Sequence, residues 1–161
     1  MSHTWRVSVV PALGGGLAFW LANLAMSLTP VAAEYRAALS IPYVPMLVEA
    51  LVGGVVLGLC VSYALVRRAA RIRVTSPVIA GMALSVVALT AATLIVDLPA
   101  KLLTPVSYLL VAALFNAVRF LALGATIGAL YGRWARAHTS VRPALQPRPA
   151  SRVEGHPELQ R

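Results

Sequence analysis

The chain has 161 residues, of which 59% are hydrophobic and only 12% charged, a balance that excludes an ordinary soluble domain of this size. Its 14 Lys+Arg against 5 Asp+Glu give a formal net charge of +9, but these charges lie mostly outside long apolar runs, which argues for a membrane surface and against nucleic acid. Cys60 is the only cysteine, and His3, His138 and His156 all lie in the two tails, so we expect no disulfide, no intramembrane metal or haem site and no cofactor.

The first apolar run, Val7–Thr29, is long enough at 1.5 Å per residue to cross a hydrocarbon core of ~30 Å. It carries Pro11, Asn23 and the triplet Gly14-Gly15-Gly16. Successive glycines weaken a helix by about 1 kcal/mol each relative to alanine. They read either as the hinge of a broken helix or, in preference, as a tight crossing point. Arg6, the apolar run and Val31-Ala32-Ala33 also resemble a signal peptide with a small-residue cleavage site. The run exceeds the usual apolar length of about 7–15 residues, so a retained span is expected. Cleavage would leave three spans in the same orientation.

The connection Pro30–Tyr43 has room for a short helical turn between Pro30 and Pro42. The second span, Val44–Val66, contains Glu49, Gly54 and Gly58. A basic connector, Arg67–Ser76, then suits anionic lipid headgroups. The third span, Pro77–Val96, places Thr90, Thr93 and Asp97 on one helical face, and a second connection holds Pro99, Lys101 and Pro105. The fourth span, Ser107–Tyr131, contains Asn116, Arg119, Gly124 and Gly128, with Gly132 just beyond. Residues 1–131 thus form one transmembrane domain. Residues 132–161, with four prolines and six arginines, read as a disordered or surface-lying cytoplasmic tail, alternatively a docking tail.

The fold class expected is all-α: a polytopic, four-transmembrane-helix up-down bundle, since short connections force antiparallel neighbours. Arg6, the arginines from Arg67 to Arg73 and those from Arg133 to Arg161 fall on one side of it, against Arg36 and Lys101 on the other. This positive-inside pattern places both termini in the cytoplasm. Tyr63, Tyr131 and Trp134 flank the inner boundary and Tyr35, Tyr43 and Tyr108 the outer one. The dominance of arginine over lysine, with abundant alanine, valine and leucine, points to a bacterial cytoplasmic membrane.

Arg119 stands out because an arginine amid an apolar span costs about 2.5–3.5 kcal/mol by insertion scales unless it meets a partner, a second subunit or water. Counting residues from the outer ends puts Glu49 about 7–8 Å deep, Asn23 about 9 Å, Thr93 and Thr90 about 5 and 9 Å, Asn116 about 13 Å and Arg119 about 18 Å. Every span therefore supplies a polar group to the outer half: Asn23, Glu49, Thr90, Thr93, Asn116 and Arg119 are the candidate substrate- or ion-binding residues. On this count Arg119 leans toward Asn116, while Glu49 lies about 10 Å shallower and leans away. The same cluster could equally be interhelical glue. Gly54, Gly58, Gly124, Gly128 and Gly132, at four-residue spacing, form small-residue faces for close helix packing, inside the bundle or between subunits.

No hydrolase triad, zinc-protease motif or phosphate-binding loop occurs, so an enzyme is not expected. Two functions fit: a non-enzymatic membrane subunit or accessory protein, with the lipid bilayer, its anionic cytoplasmic headgroups and a homo-oligomer or membrane-complex partner as contacts; and a small transporter or ion-conducting protein using Glu49 and Arg119.

Overall fold

The computed structural model describes the backbone of residues 2–69, 76–97 and 105–139, and the side chains of 8–68, 76–95 and 105–137. Among these residues the structure is all-helical. α1 is Ser2–Ser27, α2 Pro30–Ala38, α3 Tyr43–Ala69 and α4 Pro77–Ala92, continued by a π-helical turn Thr93–Asp97; α5 is Val106–Thr139. Four stretches are long and apolar enough to cross a membrane: Ser8–Ser27, Tyr43–Arg68, Pro77–Ile95 and Val106–Ala137. The chain is therefore described as a multi-pass membrane protein. Expectations for the basic connector from 70 to 75, the second connection from 98 to 104 and the tail from 140 onward fall outside the described residues.

α1 runs unbroken through Pro11 and the glycine triplet. The triplet is where three helices meet. Gly14 and Gly15 face α5, where an added Cβ on Gly15 would lie 2.5 Å from Ile127 Cγ1 and 3.2 Å from Leu123 O; Gly16 faces α3, 3.0 Å from Gly54 O. Gly58 meets Ala12 in the same α1–α3 seam, and Ser62 Oγ donates to Ser8 O at 2.7 Å. α4 and α5 cross through Gly81 against Gly124, and through Gly128 against Pro77 and Val78. Without a hydrophobic driving force between helices in lipid, such close approach lets dispersion contacts hold the bundle.

These contacts also fix direction. As α1 ascends from Ser8 to Trp20, its α3 partners descend from Ser62 to Leu47, and its α5 partners descend from Leu130 to Phe120. α4 is likewise antiparallel to α5. The intimate seams are α3–α1, α1–α5 and α5–α4, whereas α3 meets α4 and α5 only sparsely. The core of Phe19, Leu65, Phe120, Leu123 and Ile127 lies along α1, α3 and α5. Sequence-adjacent α3 and α4 consequently splay apart.

α1 stops before the connection because its last carbonyls are taken by local polar groups. Ser27 Oγ donates to Leu24 O at 2.7 Å, Thr29 Oγ1 to Met26 O at 2.7 Å, and Arg36 Nη1 to Ser27 O at 2.8 Å. Such capping satisfies orphan acceptors where water is scarce. Thr29 then caps α2, its Oγ1 accepting from Ala32 N, with Pro30 at the first helical position. α2 ends in a Schellman turn: Ser40 takes φ 52°, Ser40 N donates to Ala37 O and Ile41 N to Arg36 O at 2.9 Å. The expected short turn is thus a nine-residue helix.

The last helix, α5, departs further from the sequence reading. The boundary drawn at Tyr131 falls inside α5, which continues to Thr139. Residues 132–139 read as tail because of their arginines, yet alanine and arginine are good helix formers and extend an already nucleated helix.

Candidate functional site

A cavity of about 540 Å³ opens where α3 splays from α4 and α5, beneath α2. Its size lies within the range of about 300–1,000 Å³ usual for small-molecule sites. Asn23, Glu49, Asn116 and Arg119 all line it. Thr90 and Thr93 do not. Thr90 is exposed and its hydroxyl donates to Val86 O, four residues back, at 3.0 Å, which satisfies the group within its own helix and removes the need to face a cavity. Thr93 opens the π-helical turn, and α4 contributes Leu89 and Ala92 to the lining instead.

Arg119 is half-buried and fixed from three directions. Nε donates to Phe115 O at 3.3 Å, Nη1 to Asn23 Oδ1 at 2.8 Å, and Nη2 to Asn116 Oδ1 at 2.6 Å. Its guanidinium carbon stands 5.6 Å from the ring centroid of Phe19, a cation–π distance. Phe19 is in turn held edge-on by Phe120 at 5.5 Å. The guanidinium also settles how both amides are turned, since swapping oxygen and nitrogen would set N–H against N–H.

Asn23 is only 5% exposed, and its Nδ2 has no hydrogen-bond partner. Leaving a buried donor unsatisfied costs about 1–3 kcal/mol. A donor so placed calls for an acceptor, whether water, ion or ligand.

Counting depth from the span ends placed Asn23 and Arg119 about 9 Å apart in height, yet they touch. The count assumed that every span starts in one plane. α1 instead ends at Ser27, and α2 occupies the space beside the upper turns of α5, with Tyr35 edge-on to Tyr108 at 6.1 Å and to Phe115 at 6.4 Å. The same correction applies to Glu49. Gly16 is level with Gly54, and Gly15 with Leu123 and Ile127. Glu49 then sits about 7–8 Å above that level and Arg119 about 6–12 Å above it, at 1.5 Å per residue. By this backbone count the two residues lie at overlapping heights, on different helices. Among the described residues no ion pair joins them, and Glu49 is exposed.

α2 brings residues that the sequence reading placed only at the outer boundary. Tyr35 and Arg36 line the cavity, and the Arg36 guanidinium lies 5.0 Å from the Tyr43 ring centroid. Thr29-Pro30, a capping residue before a first-turn proline, was the available signal for that helix. Trp20 Nε1 donates to Leu47 O at 3.2 Å, pinning α3 to α1 just below the opening. Gly53 lines the cavity too, and a Cβ added there would meet nothing within 4 Å. Gly54, Gly58, Gly124 and Gly128 all face neighbours within the chain, and Gly132 lies 3.4 Å from Pro77 Cγ by the same measure. Among the described residues no three His, Cys, Asp or Glu side chains gather as a metal-ligand set.

No protein-family model, curated protein or solved structure matches this chain.

Proposed function

We propose that the protein is a non-enzymatic, multi-pass component of a bacterial cytoplasmic membrane, with both termini in the cytoplasm. Its cavity opens toward the outer side and binds a small polar ligand, for transport or for presentation to a membrane partner. The orientation rests on the basic residues gathered at the end opposite α2. The ligand-binding role rests on one observation. Arg119 is held at the cavity wall by two amides whose oxygens it turns toward itself, leaving Asn23 Nδ2 buried beside a void without a partner. Mere glue would leave no buried donor over, and Asn23 Nδ2 is left over. The glycine faces that would serve association are occupied within the chain, so we favour ligand binding over an assembly role.

Cysteine accessibility tests the reading. In a Cys60→Ser background, Gly53→Cys places a thiol in the cavity where there is room for it. A membrane-impermeant thiol reagent should label it in intact cells, while Ala137→Cys should react only after permeabilisation. No labelling of Gly53→Cys from outside, or labelling only after permeabilisation, would overturn the reading.

A further inference from the structure

At the end of the bundle away from α2, and independently of what the outer cavity binds, we infer that a groove between α4 and α5 holds an anionic phospholipid. The groove has a volume of about 540 Å³. Its two ends differ in character: Val78, Ala129 and Leu130 give it an apolar floor, while Ser76, Arg133 and Arg136 head it. Helical spacing produces this gradient. Ala129, Gly132, Arg133 and Arg136 fall at i, i+3, i+4 and i+7, one face of α5 on which small residues give way to cations within about 10 Å. Gly132 lets the cationic end close in on α4. It is buried beside Pro77, and Arg136 Nη1 lies 3.8 Å from where its Cβ would stand, so this guanidinium is folded back over the glycine. Ser76, ahead of α4, makes no side-chain bond to its own helix.

The change from apolar to cationic falls where a membrane changes in the same way. Tyr131 and Trp134, with ring centroids 6.5 Å apart, lie within a turn of Arg133, and such rings settle at headgroup level. Tyr63 and Arg67, joined by a 2.9 Å hydrogen bond, mark the same end of α3. A phospholipid carries the complementary pattern, phosphate at that level and acyl chain below it. Charge then selects the class. Among the described residues two arginines and no carboxylate line the groove, so it offers a phosphate its counter-charge and an ammonium group none. A lipid of net negative charge fits better than a zwitterionic one. A phosphate accepts from several donors at once, so neither guanidinium need be without other contacts. Basic clefts between membrane helices commonly take such headgroups.

Native mass spectrometry of the full-length protein in a neutral maltoside detergent tests this with phosphatidylglycerol and phosphatidylcholine of identical acyl chains. Phosphatidylglycerol should bind at least about tenfold more tightly, the difference expected for one charged hydrogen bond. Arg133→Gln combined with Arg136→Gln should erase that preference. Arg67→Gln combined with Arg68→Gln removes the same charge from the same end of the bundle but outside the groove, and should leave the preference intact. Ala129→Trp keeps every charge and, at an exposed position, fills the apolar floor; it should weaken phosphatidylglycerol binding about tenfold with the melting temperature unchanged. Equal binding of the two lipids, the same loss from both arginine pairs, or undiminished binding by Ala129→Trp overturns the inference. Inorganic phosphate should not displace the lipid; displacement would make the groove a phosphate site and overturn it as well.

Discussion

The two halves of this bundle are built on opposite rules. In the half that holds Gly58, Gly81, Gly124 and Gly128, helices approach until backbone meets backbone, and Leu65, Leu123 and Ile127 are buried between them. In the half beneath α2, the polar Asn23, Glu49, Asn116 and Arg119 share the wall of a cavity of about 540 Å³ with small residues such as Ala50, Gly53 and Ala112. Small residues in a membrane therefore do more than permit packing: by clamping one end of α3 and α4 to their neighbours they allow the other end to open. A uniformly glycine-rich or uniformly polar set of spans would give a closed bundle or an unstable one.

The largest effect should come from breaking the clamp. Gly58→Leu or Gly128→Leu would drive a side chain into backbone atoms of Ala12 or of Pro77 and Val78, with nothing flexible to yield. We expect about 3 kcal/mol or more of destabilisation, read by reversible unfolding in mixed micelles; unchanged stability would mean that the seam is not close-packed. Arg119→Leu should cost less, about 2 kcal/mol, because it removes one hydrogen bond from each of Asn23 and Asn116 in a half that is already open. Thermal denaturation checks this, and Asn23→Leu combined with it should recover part of the loss.

Two smaller changes sharpen the contrast. Ser40→Gly relieves a left-handed residue at the end of α2 and should stabilise by about 1 kcal/mol, without altering the packed half. Ser62→Ala removes one hydroxyl bond between α3 and α1 and should cost about 0.6 kcal/mol, the average for interhelical hydrogen bonds in membranes.

Much of the fold was legible because length and hydropathy alone define a span. The first three membrane-spanning stretches begin and end within about two residues of the expected spans, and four of the six polar candidates line one cavity. What failed did so for physical reasons. Thr90 and Thr93 share a face with Asp97 by periodicity, but a threonine in lipid can satisfy itself on its own helix, so polarity there says nothing about orientation. Heights were misjudged because a linear count cannot show that the ends of α1 and α5 lie at different levels, with α2 beside the upper turns of α5. That single error hid both the Asn23–Arg119 bond and the overlapping heights of Glu49 and Arg119. The choice of neighbours was also beyond the pattern: the sequence-adjacent α3 and α4 meet only sparsely.

The contrast between an open half and a clamped half is tested most directly by a cysteine profile down α3 in the Cys60→Ser background. Met46, Gly53 and Leu57 line the cavity, whereas Val61 is 3% exposed and lies in the packed half. The account predicts that an impermeant thiol reagent added from outside labels the first three substituted cysteines and fails at Val61→Cys, with the fall lying between Leu57 and Val61. Labelling that stops before Gly53, or that continues through Val61, would contradict it.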